Sequence, residues 1–113
     1  MTGGQEPGCL VTCVGGGGLA LGLLQGLDTC DDTWRHVPLV TMETHGANCL
    51  SEARRAGTSV TLEAITSQAT SLGALRVADK LLERCLEQPD RVISLEVSDK
   101  EAKAACVRCK IFQ

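Results

Sequence analysis

The stretch Cys9-Leu-Val-Thr-Cys-Val-Gly-Gly-Gly-Gly-Leu-Ala-Leu-Gly-Leu-Leu-Gln-Gly-Leu27 decides the fold. Its first six residues form a short, almost wholly apolar run that stops at glycine, which is typical of a strand buried on both faces of a parallel sheet. Residues 19–27 have the length and composition of a helix. This stretch therefore predicts a strand, a glycine loop and a helix in succession.

The rest of the chain continues the alternation of strands and helices. Apolar and periodic runs predict two more strands, at 37–42 and 91–97, and three more helices, at 47–56, 75–86 and 100–108. Ser98-x-x-Glu101 is a capping box at the start of the last helix, whereas 58–66 is ambiguous and 67–72 has room for one or two helical turns. The order predicts the α/β class, with an open parallel sheet and flanking helices in a single partial domain over residues 1–113.

Composition and charge exclude several classes of protein. The 113 residues carry a formal charge of −3 and no basic cluster beyond Arg54-Arg55, which argues against a nucleic-acid or anionic-membrane partner. The uncharged stretch from Gly8 to Leu27 has GxxxG spacing, but four consecutive glycines would cost a membrane helix roughly 1 kcal/mol each. We therefore expect no nucleic-acid partner and no membrane span.

The seven cysteines form an odd set with irregular spacing, and the amino terminus has neither the basic nor the apolar region of a secretion signal. Cys106-x-x-Cys109 and Cys9-x-x-x-Cys13 match a zinc framework poorly. These features indicate a reduced, cytoplasmic chain.

The four glycines Gly15, Gly16, Gly17 and Gly18 are the main candidate binding feature. Between a buried strand and a helix, residues without side chains let backbone N–H groups converge on an anion, and the helix adds its positive end. No Lys-Ser or Lys-Thr follows, which excludes a P-loop. Gly15-x-Gly17-x-x-Ala20 together with Glu43 also satisfies the loose dinucleotide fingerprint. A phosphate compound is expected, but these residues alone leave its identity open.

Several motifs in the same chain carry a more specific resemblance. Val14-Gly-Gly-Gly-Gly-Leu19, Met42-Glu-Thr-His-Gly-Ala47, Ile65-Thr-Ser67 and Ser71-Leu-Gly73 resemble consecutive landmarks of the mammalian-type L-serine dehydratase family. The resemblance covers residues 8–102 and leaves 103–113 as a divergent tail. It implies a fold type II enzyme of the tryptophan synthase β-like group, in which pyridoxal 5′-phosphate lies between two α/β domains.

The resemblance also implies roles for individual residues. Gly15, Gly16, Gly17, Gly18 and Leu19 would hold the cofactor phosphate through their backbone amides. A monovalent or divalent cation would bind the carboxylate of Glu43 and the backbone oxygens of Ala47, Leu72 and Ala74, with Gly15 as a further candidate. The family acts on L-serine or L-threonine, releases pyruvate or 2-oxobutanoate with ammonia, and forms homodimers.

Two parts of the family's site are missing from the sequence. The lysine that carries the cofactor stands in a Ser-x-Lys-x-Arg motif, which Lys80, Lys100, Lys103 and Lys110 do not match, and the Pro-x-Cys-Gly-Ala segment is also absent. The sequence therefore predicts a fragment that has no catalytic residue of its own and is inactive alone. The alternatives are a nucleotide- or dinucleotide-binding module and a noncatalytic partner of full-length subunits.

Overall fold

The computed structural model describes residues 6–111. Within this range, three parallel strands form one sheet, and four α-helices and one short 3-10 helix connect or flank them. The strands are β1 (Leu10–Cys13), β2 (Leu39–Thr44) and β3 (Val92–Val97). The helices are α1 (Gly18–Thr29), the 3-10 helix (Trp34–His36), α2 (Cys49–Ala56), α3 (Asp79–Glu87) and α4 (Asp99–Ile111). The predicted α/β class with an open parallel sheet is confirmed.

The strand order is β1-β2-β3, so β2 is central. Leu10 pairs with Leu39, and Leu39 pairs with Val92. Because side chains alternate along a strand, this row lies on one face of the sheet, while the next row, Val11, Val40 and Ile93, lies on the other. The two faces have different surroundings, since Leu39 and Val92 are buried and Val11 and Ile93 are exposed.

The hydrophobic core lies between the Leu39 face of the sheet and three of the helices. The helices α1, α2 and α3 each contribute buried side chains to a single cluster with β2 and β3. Its helical members are Ala20, Leu24, Cys49, Leu50, Ala53, Leu81, Leu82 and Cys85. This packing fixes the end of β1 and the start of α1 relative to the helices α2 and α3.

Helix α3 begins later than its apolar periodicity predicts. The pattern starts at Leu75, but the helix starts at Asp79. The intervening backbone bonds to other segments instead: the Leu62 amide donates to the Leu75 carbonyl at 2.8 Å, and the Ala78 amide donates to the Gly16 carbonyl at 2.7 Å. These tertiary bonds keep residues 75–78 out of the helix and bring them against the glycine loop.

The structure also describes the segment 58–72, the capping box of α4 and the length of the helices. Residues 58–66 contain no helix or strand, and 67–72 make a single turn closed by the Gly73 amide on the Ala69 carbonyl. The capping box is formed reciprocally, since Ser98 N donates to Glu101 Oε1 and Glu101 N donates to Ser98 Oγ, both at 3.1 Å. None of the helices within residues 6–111 is long and apolar enough to cross a bilayer.

Candidate functional site

The glycine loop joins the end of β1 to the start of α1, and the carbonyl groups of its first three glycines are bonded to the protein. The Gly15 carbonyl accepts a hydrogen bond from the Cys49 thiol at 3.5 Å. The Gly16 carbonyl accepts from the Ala78 amide at 2.7 Å, and the Gly17 carbonyl from the Leu21 amide at 2.9 Å. Three successive peptide groups of the loop are therefore held in fixed orientations.

The orientation of these peptides determines where their amides point. In a trans peptide the N–H group is directed opposite to the C=O group of the same unit, and the described chain contains no cis peptide. The carbonyls of residues 15–17 face protein donors, so the amides of Gly16, Gly17 and Gly18 face the other way. Within residues 6–111 these amides donate to no protein acceptor. Three amides without a protein acceptor thus follow one another at the amino terminus of α1, where the helix dipole is positive.

Two of the glycines are required by the close approach of other residues. Gly17 has a φ of 98°, and a Cβ built on it would lie 2.8 Å from Leu81 Cδ2. A Cβ on Gly15 would collide with the Leu72 carbonyl oxygen. Gly17 therefore packs against α3, and Gly15 packs against the backbone of Leu72, with no room for a side chain at either position.

An open cleft of about 300 Å³ lies in front of the loop. The sequence predicted five of the residues that line it, namely Gly15, Gly16, Gly17, Gly18 and Leu19. Cys13, Ala20, Ser71 and Leu72 line it as well. Strand alternation puts Cys13 on the open face of the sheet. Its place in the cleft also depends on residues 71 and 72, which line the same cleft through a tertiary contact that has no local sequence signal.

Glu43, at the carboxyl end of β2, is buried with 1% of its surface exposed. One carboxylate oxygen accepts from the Leu50 amide at 3.0 Å, and the other accepts from the Ser51 amide at 2.9 Å and the Ser51 hydroxyl at 2.7 Å. Glu43 therefore caps the amino terminus of α2, a role that needs a tertiary contact and has no local sequence signal. Burial raises the pKa of the Glu43 carboxyl, and these hydrogen bonds oppose that effect.

The residues suggested as cation ligands lie after β1, at the end of β2, before α2 and in the segment 72–74. The Leu72 carbonyl approaches Gly15, and the Gly15 carbonyl meets the thiol of Cys49. Burial and then the charge of Glu43 raise the pKa of that thiol to about 11. The Glu43 carboxylate bonds to the amides of Leu50 and Ser51, which directly follow Cys49. Ala47 forms an isolated bridge with Thr44 immediately before α2, and Ala74 lies just beyond the turn that contains residue 72. Within the described part of the chain, no group of three His, Cys, Asp or Glu side chains is arranged to hold a metal ion.

Comparison with known proteins identifies the family. The sequence profile of the family described as "Pyridoxal-phosphate dependent enzyme" matches residues 2–110. This chain belongs to the pyridoxal-phosphate dependent enzyme family. The family resemblance carried by the tetraglycine and Met-Glu-Thr motifs is thereby confirmed.

Individual members of the pyridoxal-phosphate dependent enzyme family are similar to this chain. The Homo sapiens protein "Serine dehydratase-like" is 50% identical over 99 residues, which cover 88% of this chain and 29% of the relative. The Bos taurus "L-serine dehydratase/L-threonine deaminase" is 46% identical over 101 residues, covering 89% and 30%. A crystal structure of a fungal L-serine ammonia-lyase from Rhizomucor miehei aligns with a TM-score of 0.71 at 38% identity, covering 83% of this chain and 29% of that one. The chain thus spans about 30% of the length of these relatives.

The residues present fit the phosphate of the family's cofactor. The free amides of Gly16, Gly17 and Gly18 supply donors without charge or bulk, and the adjacent helix terminus favours an anion. The cleft that they line has no lysine among its lining residues in the part of the chain that the structure describes. Lys80 lies on α3, and Lys100 and Lys103 lie on α4. The loop therefore fits a phosphate, and no lysine lines the cleft among the described residues.

Proposed function

We propose that this chain supplies the phosphate-binding part of a pyridoxal-phosphate dependent L-serine/L-threonine ammonia-lyase. The single observation that carries the proposal is the set of outward amides at Gly16, Gly17 and Gly18, held by inward carbonyls at the start of α1. Leu19 follows in the first turn of that helix and is 63% exposed, so its backbone also borders the cleft. Relatives named for serine dehydratase and threonine deaminase activity support the reaction class.

In this proposal the chain binds and orients, and it does not itself move a proton. The loop amides hold the phosphate, which fixes the cofactor at the carboxyl end of the parallel sheet, where such folds bind their ligands. When bound, the cofactor supplies an electron sink for bond cleavage at the α-carbon of the amino acid. The products would be pyruvate or 2-oxobutanoate together with ammonia.

Ligand binding by the 113-residue chain tests the proposal. Calorimetry or ligand-induced thermal shift should detect pyridoxamine 5′-phosphate and pyridoxal 5′-phosphate, and should detect pyridoxamine without phosphate much more weakly. NAD should bind no better than unphosphorylated pyridoxamine, because the Glu43 carboxylate already caps α2 and is not presented to a ribose. Preferential binding of NAD would instead support the dinucleotide alternative.

A pair of aspartate substitutions makes the test specific to the loop. Gly16 and Gly22 are both exposed, and a Cβ on either would meet nothing within 4 Å. Gly16→Asp places a negative charge beside the phosphate and should weaken binding at least about tenfold. Gly22→Asp places the same charge one turn inside α1 and should leave the affinity unchanged. Equal affinity of the two variants would place the phosphate elsewhere.

The chain alone should be catalytically inactive. The sequence lacks the Ser-x-Lys-x-Arg lysine of the family, and neither Lys80 nor Lys100 is among the residues that line the cleft. We expect the purified chain to release no pyruvate from L-serine when pyridoxal 5′-phosphate is added, in an assay coupled to lactate dehydrogenase. Steady pyruvate release would contradict this expectation and would show that another amine serves.

The proposal includes a monovalent or divalent cation beside the loop. Glu43 and the carbonyls of Ala47, Leu72 and Ala74 would provide its ligands, with Gly15 as a further candidate, since carboxylate and carbonyl oxygens suit hard cations. Although Glu43 caps α2, its Oε2 accepts only the Leu50 amide among the described residues and keeps a lone pair for a buried ion. Support comes from the approach of the Leu72 carbonyl to Gly15, and from the first turn of α2, where Cys49 bonds to the Gly15 carbonyl and Leu50 bonds to Glu43. A rise in melting temperature with K⁺ or Mg²⁺ over choline at equal ionic strength, lost in Glu43→Gln, is the expected result.

We also propose the cellular context and assembly suggested by the family. All seven cysteines, which lie within the described residues, are free, and this supports a reducing compartment such as the cytoplasm. A parent protein as long as the relatives would form a homodimer, and the alternative that this chain pairs noncatalytically with full-length subunits would be recognised by co-purification with them.

A further inference from the structure

The thiol of Cys49 links two elements that meet at the glycine loop. Cys49 is the first residue of α2 and only 1% exposed, and its Sγ lies 3.5 Å from the Gly15 carbonyl oxygen. Sulfur hydrogen bonds are longer than those of oxygen and nitrogen, and this distance is within their range. An ordinary thiol is largely protonated at neutral pH, so Cys49 is a donor there.

The position of Cys49 is fixed by the packing around it. Glu43 binds the amides of Leu50 and Ser51, the two residues that follow Cys49 in the first turn of α2. The start of α2 is therefore bonded to the end of β2. The Cys49 thiol bonds the same turn of α2 to Gly15, just after the end of β1.

The bond from Cys49 differs from the other two bonds that orient the loop. The Gly16 and Gly17 carbonyls are held by backbone amides, which no side-chain substitution removes. The Gly15 carbonyl is held by a side chain, and the same peptide unit carries the Gly16 amide. Because the Gly15 carbonyl and the Gly16 amide belong to one planar peptide, the thiol that holds the carbonyl also restricts the direction of the amide.

We propose that Cys49 is a positioning residue that orients the Gly15–Gly16 peptide so that the Gly16 amide can donate to the ligand phosphate. This inference rests on the proposed function for its ligand. It does not require the thiol to contact the phosphate, and Cys49 is not among the residues that line the cleft.

The test compares substitutions of two buried cysteines. Cys85 on α3 is also 1% exposed and belongs to the same core cluster, but it makes no hydrogen bond to the loop within the described residues. Cys49→Ala and Cys85→Ala remove equal volumes, whereas Cys49→Ser keeps a donor. The affinity of each variant for pyridoxamine 5′-phosphate is measured by calorimetry, and its stability is measured by urea unfolding.

We expect Cys49→Ala to weaken phosphate-ligand binding about three- to tenfold, the effect of one hydrogen bond. Cys49→Ser should recover most of the affinity, and Cys85→Ala should lose stability while keeping its affinity. Equal affinities in Cys49→Ala and the wild type, or equal losses in the two alanine variants, would overturn the inference. Should Cys49→Ala not fold, Cys49→Val, which keeps the apolar volume without a donor, takes its place.

A second measurement separates this inference from the proposed function. In the unliganded chain, the NMR resonance of the Gly16 amide should shift in Cys49→Ala and move back towards the wild-type value in Cys49→Ser, while Cys85→Ala leaves it in place. If the wild type binds no phosphate compound, the proposed function fails, and the Gly16 resonance alone decides whether Cys49 orients the peptide. An unchanged resonance in Cys49→Ala would contradict that role.

Discussion

Gly17 shows how one residue sets the geometry of the glycine loop. Its φ of 98° and the approach of Leu81 and Val77 leave no space for a side chain. We expect Gly17→Ala to lower the free energy of unfolding by about 1–3 kcal/mol, because a left-handed backbone is unfavourable for alanine and the added methyl overlaps Leu81. Urea unfolding followed by circular dichroism measures the change.

Gly22 provides the control for this substitution at the same residue scale. It lies inside α1 and is exposed, and a Cβ added there would meet nothing within 4 Å. Gly22→Ala should therefore raise the free energy of unfolding by about 0.5–1 kcal/mol through higher helix propensity. A loss of stability in Gly22→Ala similar to that in Gly17→Ala would show that the loop carries no special constraint.

Single residues also show how much of the site the sequence could predict. The tetraglycine run between a strand and a helix was sufficient to predict a strand-to-helix loop with free backbone amides, since the missing side chains and the helix terminus are local features. Its binding of phosphate stays a prediction. The roles of Glu43 and Cys49 were not predictable from the residues themselves. Both act across the sheet end, on Leu50 and Gly15, and the sequence does not state which segments meet there.

At the scale of elements, the start of α2 depends on Glu43 of β2. We expect Glu43→Ala to lower the free energy of unfolding by about 2–4 kcal/mol, because the Leu50 and Ser51 amides lose their acceptor inside the protein. Glu43→Gln keeps one acceptor oxygen and should cost less. Urea titrations in a choline buffer without K⁺ or Mg²⁺ provide the measurement.

The exposed residue Glu63 serves as the comparison for Glu43. Glu63→Ala removes the same charge from a segment without regular structure and should change stability by less than about 0.5 kcal/mol. If both alanine variants behaved alike, the carboxylate of Glu43 would not be a structural cap.

The attachment of α4 should depend on pH through Asp99. Its carboxylate accepts from the Ser67 hydroxyl at 2.6 Å and the Gln68 amide at 3.0 Å, and these bonds lower the pKa of Asp99, with smaller contributions from Lys103 and His45. A lowered folded-state pKa contributes stability above the unfolded value of about 3.9, and this contribution is lost as the pH falls through the folded pKa. Wild type should therefore exceed Asp99→Asn in stability at pH 7, and the difference should shrink below about pH 4.

Thermal unfolding of both proteins between about pH 7 and about pH 3 measures that difference. Asp90→Asn is a suitable control, because Asp90 is exposed and makes no side-chain hydrogen bond within residues 6–111. A constant difference between wild type and Asp99→Asn over this range would mean that the Ser67 and Gln68 bonds do not depend on the charge of Asp99.

The boundaries of the elements were predictable where local signals set them. The capping box at Ser98 placed the start of α4 within one residue, because both partners of the cap are local. The start of α3 was wrong by four residues: the apolar period continues through 75–78, but the backbone there bonds to Leu62 and Gly16. Tertiary hydrogen bonds outweighed the periodic signal at this point.

The described part of the molecule is flat, with principal dimensions of 42 × 40 × 18 Å. One face of its sheet packs against the core helices, and the other face does not. The second face presents two rows of side chains in register: Val11, Val40 and Ile93, then Cys13, Met42 and Leu95. Parallel sheets are normally covered on both faces. An uncovered apolar face predicts binding of hydrophobic dyes and association of the isolated chain.

Leu95 on this open face is 47% exposed, and Val107 on α4 is 59% exposed. Because both are exposed apolar residues, a substitution of Val107 is a control for the same substitution of Leu95. Leu95→Lys interrupts an apolar row of the sheet, whereas Val107→Lys alters an exposed position on helix α4. We expect Leu95→Lys to reduce both the fluorescence of bound anilinonaphthalene sulfonate and the self-association seen by sedimentation velocity, while Val107→Lys reduces neither. Unchanged dye binding in Leu95→Lys, with the fold intact by circular dichroism, would show that this face is not the source of the exposed apolar surface.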